Sequence, residues 1–168
     1  NAVKGFQGAV FEKAQQIKDN KAHKKELEEA RNRAITSSIS SVSAEEFFRS
    51  FEANISDVND LKTGYMAISG CYVILTMKSN REKDLSEYKD VYVGCSDTIG
   101  FDVYSQLCGF GNVDVYADFK FKQPMKILIY PCDSDQLESR YASLVQDFQS
   151  VSSYNKWEAM KSEQSSAQ

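Results

Sequence analysis

GCYVILTM (70–77) and DVYVGCS (90–96) decide how this 168-residue chain folds. Both are dense in valine, isoleucine and tyrosine, which suit a pleated, half-buried surface, so each reads as a strand. Between them KSNREKDLSEYK (78–89) is polar and charged, and long for a hairpin loop. Working outward, KILIYPC (126–132) is a third strand that ends at Pro131. Residues 98–107 read as a short helix and GFGN (109–112) as a turn. DSDQLESRYASLVQDFQ (133–149) is amphipathic, with Leu137, Tyr141, Leu144 and Phe148 at helical spacing. NKWEAMKSE is a last helical stretch before a polar tail.

Upstream, the pattern is helical from Phe6 to about Thr36, with Phe6, Val10, Ala14 and Ile17 three or four residues apart. AHKKELEEARNRA (22–34) alternates charges, including Lys24–Glu28 and Lys25–Glu29 at i,i+4, and reads as a solvated helix face. His23 belongs to that face. TSSISSVS (36–43) looks like a connector, and Ser43 with Glu46 forms an S-x-x-E capping box for a helix through about Ile55. Phe47, Phe48 and Phe51 lie along one side of that helix, as core or interface. The expected architecture is α+β: a small, mainly antiparallel three-stranded sheet flanked by helices. The expected divisions are a helical extension over 1–60, a sheet domain over 65–160 and a polar tail over 161–168.

Composition narrows the function classes. Hydrophobic residues at 42%, aromatics at 12% and only two prolines indicate a packed core rather than disorder. The longest apolar stretch, YMAISGCYVILTM, is broken at Ser69 and Gly70 and is too short to span a bilayer, so no membrane role is expected. No signal-peptide pattern is read in the chain as it starts at Asn1. Cys71, Cys95, Cys108 and Cys132 form no C-x-x-C pair, and with one histidine there is no zinc signature. Free strand thiols fit a reducing cytoplasm, and a Cys71–Cys95 bridge across neighbouring strands stays open. Residues 1–64 carry ten basic and ten acidic side chains, whereas 65–168 carry ten and fourteen, a net of −4. An acidic domain is a weak generic binder of nucleic acid.

The two strand motifs, Gly70-Cys71-Tyr72 and Tyr92-Val93-Gly94, come with TIGFDVYSQL, ILIYPC, QLESRYASL and YNK in that order. Over about residues 69–160 this set resembles the GIY-YIG nuclease domain. The resemblance implies an active-site location at Tyr72 and Tyr92, with Ser96 as the small polar residue after the second motif. It further implies Glu138 as the ligand of one divalent metal, Mg²⁺ or similar, and a site role for Asn155. Such a site stabilises a phosphodiester transition state with a cation and a metal, because charge gathers on the phosphoryl oxygens. Each residue also has a structural reading: Tyr72 and Tyr92 as half-buried strand tyrosines, and Glu138 as a first-turn glutamate favoured by the helix dipole.

Two departures matter more than the matches. Counting from Gly94, the family's arginine falls on Asp102 and its following histidine on Gln106. Residues 95–119 contain no lysine or arginine but four aspartates, 97, 102, 114 and 118. The expected function is therefore an endonuclease-like domain with impaired or lost hydrolysis, acting as a binding or regulatory module. One alternative is an active metal-dependent endonuclease using a displaced cation such as Lys120, Lys122 or Arg140. Another is a helical interaction module that engages a protein partner, or a second copy, through residues 1–60.

Overall fold

The computed structural model describes residues 2–55 and 62–166, with side chains over 12–55 and 62–161. Phe6 and Val10, part of the helical pattern above, lie outside the described side chains. Helix α1 (Ala2–Thr36) leads into strand β1 (Ser40–Ser43) and helix α2 (Ala44–Ala53). Strands β2 (Gly70–Met77) and β3 (Tyr88–Ser96) follow, then helices α3 (Ile99–Cys108) and α4 (Val113–Lys120). Strand β4 (Met125–Pro131), helix α5 (Leu137–Phe148) and helix α6 (Lys156–Ser166) complete the order, with short 3₁₀ turns at Ser134–Gln136 and Ser150–Ser152.

The sheet has four strands in the order β1-β4-β2-β3, every neighbouring pair antiparallel. This corrects the expectation of three strands. Ser40–Ser43 pairs with Ile129–Lys126 along the free edge of β4. A four-residue serine-rich segment carries almost no strand signal of its own; β4 supplies the ladder that holds it. Ser43 then serves twice, since its side chain also accepts from Glu46 N at 3.1 Å and caps α2.

β2 is buried along its whole length, which explains its unbroken apolar run: both faces of the sheet are covered. On one face Tyr72, Ile74, Tyr92, Ile127 and Ile129 meet Phe47 of α2, Ile99, Val103 and Leu107 of α3, and Val115 of α4. On the other, Cys71, Val73, Leu75, Val93 and Tyr130 meet Ala34 of α1 and Leu144 and Phe148 of α5. The phenylalanines of α2 go to the first face. Phe47 and Phe51 are buried, while Phe48 and Phe51 stack on Tyr104 at 5.0 and 4.5 Å.

Only the end of α1 joins this core. Tyr130 Oη donates to Ala34 O at 2.7 Å, and the Arg31 guanidinium lies 5.7 Å from the Tyr88 ring centre. Every side chain from residue 12 to 26, His23 included, is exposed.

Candidate functional site

Strand alternation sends Tyr72 and Tyr92 to the same face, against α3. In the β2–β3 ladder Tyr72 lies opposite Gly94, and Ile74 opposite Tyr92. The Tyr72 ring crosses β3 over that glycine: a Cβ on Gly94 would sit 2.3 Å from Tyr72 Cζ. The glycine of the second motif thus makes room for the tyrosine of the first.

Asp102 and Gln106 stand four residues apart on α3, so they share one helix face, and it is the face turned to the tyrosines. The Tyr72 hydroxyl donates to Asp102 Oδ2. Gln106 Nε2 donates to Tyr92 Oη at 3.0 Å and to Tyr72 Oη at 3.3 Å. Gln106 Oε1 accepts the backbone N–H of Asn112 at 2.6 Å, so both ends of its amide are used. Gly111 leaves space for that amide, since a Cβ there would lie 2.1 Å from Oε1. Asp102 and Gln106 tie the tyrosine pair into the core.

The network continues through residues the sequence reading passed over. Asn112 Nδ2 donates to Tyr154 O at 2.8 Å, while its Oδ1 accepts from Asp114 N and Val115 N as the cap of α4. Tyr154 Oη lies 2.6 Å from Thr76 Oγ1 and donates to Asp118 Oδ2. The asparagine before VDVYADFK was the available signal, because Asn is a favoured helix cap.

Burial sets the ionisation of these groups. Desolvation, with the neighbouring Tyr92 and Asp102 charges adding to it, raises the Tyr72 hydroxyl well above its usual value. Tyr92 is raised as well, first by burial and then by Glu158 and Asp102. Asp102 is pushed up by desolvation, which the bond from Tyr72 only partly offsets. Burial thus favours the protonated form of both phenols at neutral pH, and the Tyr72 proton is directed to Asp102. A phosphate beside Asp102 would be repelled by about 4 kcal/mol at 4 Å with an effective dielectric of about 20.

The remaining expected residues go elsewhere. Glu138 is exposed in the first turn of α5, the helix packed on the opposite face of the sheet from Tyr72. Among the described residues it makes no ion pair, and no three acidic, histidine or cysteine side chains converge as a metal cage. The donor set therefore does not fit a metal joined to the tyrosine pair. Asn155 is buried beside the edge strand: Val93 N donates to its Oδ1 at 2.7 Å and its Nδ2 donates to Val93 O at 3.0 Å. With Ser153 Oγ accepting from Val91 N at 2.9 Å, the segment before α6 closes the free edge of β3. Ser96 Oγ accepts from Thr98 N at 3.0 Å and shapes the turn into α3.

Two of the three displaced cations lie against other rings. Arg140 lies over the Tyr130 ring at 5.3 Å and donates to Ser37 Oγ at 3.3 Å, both away from Tyr72. Lys120 lies 5.8 Å from the Tyr116 ring centre. All four cysteines are free, although Cys71 and Cys95 are direct cross-strand partners. Desolvation, with nearby Cys132 and Cys95 adding to it, pushes the Cys71 thiol up to about 12.

No helix among the described residues is long and apolar enough to cross a membrane. Comparison with protein-family models, curated proteins and solved structures finds no match to this chain.

Proposed function

We propose that this chain is a GIY-YIG-like domain that does not hydrolyse phosphodiesters and works as a binding or regulatory module. One observation carries the proposal: Asp102 and Gln106, which fall where the resemblance implies a phosphate-binding cation, hydrogen-bond directly to Tyr72 and Tyr92. The orientation of Glu138, on the far side of the sheet, adds support. The test is incubation of the chain with plasmid DNA and with RNA in Mg²⁺ or Mn²⁺, beside a Glu138→Ala control. No cleavage above the control is expected. Cleavage that the Glu138 substitution abolishes would overturn the proposal. The double substitution Asp102→Arg with Gln106→His is expected to gain no activity either, because the metal ligand would still be missing from that face.

A second reading is favoured by the geometry of α1. Its 35 residues extend about 50 Å, and every described side chain before Leu27 is exposed. A helix this exposed is an arm for a protein partner or a second copy. Sedimentation of the full chain against a variant lacking residues 1–26 tests this: unchanged mass in both would remove self-association through the arm.

A further inference from the structure

Beside the tyrosine pair, a cavity of about 560 Å³ opens between the α3–α4 turn and α6, lined by Tyr92, Gln106, Phe110, Trp157, Glu158 and Lys161 among others. Two of its walls are aromatic and reachable: Phe110 is 86% exposed and Trp157 is 42% exposed. The Trp157 ring is held in place, since its Nε1 donates to Asp114 Oδ2 at 2.8 Å. It already receives a cation, with Lys156 Nζ 5.5 Å from its centre. Glu158 supplies the polar element. Its Oε2 is shut off from solvent and takes no hydrogen bond from any described residue. A buried carboxylate oxygen without a donor is unfavourable, and an incoming N–H relieves it. Glu158 is the one acidic side chain in the lining; Asp114, at the edge of the Trp157 ring, is paired with Lys156 Nζ at 3.5 Å. Lys161 is the one basic side chain in the lining.

We propose that this cavity binds an organic cation, the guanidinium or ammonium head of an arginine- or lysine-type ligand. Glu158 accepts its N–H, and Phe110 and Trp157 lie against its stem and charge. A phosphate or other anion would meet the unpaired Glu158 carboxylate oxygen and be disfavoured there. The head group belongs either to a small free amine or to a basic side chain of a protein partner; both present the same chemistry. This names the ligand class of the binding module proposed above and rests on that reading. The two fail separately, since nucleic-acid cleavage would sink the module while cation binding is read by titration.

Trp157 is the only tryptophan in the chain, so its emission reports on the cavity. The full chain is titrated with arginine amide, lysine amide, a Gly-Arg-Gly peptide and adenosine monophosphate. Saturable emission changes are expected with the cations and none with the nucleotide. Glu158→Gln is expected to weaken cation binding about tenfold or more, and Phe110→Ala about threefold. Lys161→Ala, which removes a like charge, is expected to tighten it. Tighter binding of the peptide than of arginine amide assigns the head group to a protein partner, and equal binding assigns it to a free amine. No saturable change with any cation, or one that Glu158→Gln leaves intact, overturns the inference. Saturable nucleotide binding that displaces the cations overturns it in favour of an anionic ligand.

Discussion

Gln106→Leu is the perturbation that most exposes how the tyrosine pair is held. The side chain is 8% exposed, and leucine nearly matches its volume, so packing against the tyrosines and Gly111 is kept while the amide is lost. Asn112 N, itself in a residue only 6% exposed, loses its acceptor at 2.6 Å. A buried N–H left unpaired costs about 1–3 kcal/mol. Tyr92 and Tyr72 lose donors at 3.0 and 3.3 Å, the first a well-formed bond of about 1 kcal/mol and the second weaker. The sum is about 2–4 kcal/mol. For a domain of this size each kcal/mol moves the midpoint by about 2–4 °C, so a loss of about 5–15 °C is expected. Far-ultraviolet circular dichroism melts at neutral pH, paired with urea unfolding, measure it directly. A midpoint within about 1 °C of the parent would refute the idea that Gln106 anchors the network.

Three further outcomes follow from the same contacts. Asp102→Asn keeps an acceptor for Tyr72 and removes a charge whose folded pKa is raised by burial. Because the folded state then binds its proton more tightly than the unfolded one, the aspartate destabilises increasingly as pH rises from its ordinary value of 3.8 through the folded pKa. The variant should therefore have the higher urea midpoint at pH 7, with the two converging in acid. A variant less stable at pH 7 would contradict the sign. Asn155→Ala removes both bonds to Val93 and should cost about 1–3 kcal/mol, with faster amide exchange at Val93; unchanged exchange there would count against its edge-closing role. Iodoacetamide at pH 8 should reach Cys71 only in denaturant, since that thiol is fully buried and raised to about 12; labelling of Cys71 in the folded chain would contradict this.

Much of this was legible in the sequence, for identifiable reasons. β2 matches its expected span, 70–77, because an eight-residue apolar run bounded by Gly70 and a charged loop has one comfortable use. The amphipathic face of α5 and the capping serine of α2 were equally plain. β1 was not, since Ser40–Ser43 is a strand only because β4 offers an edge. α4 was missed because VDVYADFK is short and mixes β-branched, aromatic and aspartate residues that favour helix weakly. At the site, counting from Gly94 located Asp102 and Gln106, yet their partners could not be counted to. Tyr72 and Asp102 are 30 residues apart, Thr76 and Tyr154 78 apart, and such pairs are made by packing rather than spacing. Glu138 illustrates the same limit: an amphipathic pattern says a helix buries one face, but not against which side of the sheet.

The account turns on the tyrosine pair being locked rather than poised, and ring-carbon NMR of Tyr72 and Tyr92 across an alkaline titration measures that most directly. A free tyrosine ionises near pH 10. Burial and the Asp102–Gln106 network predict that neither ring titrates until well above that value. Ionisation of either hydroxyl at or below pH 10 would show an open, accessible site and contradict the account.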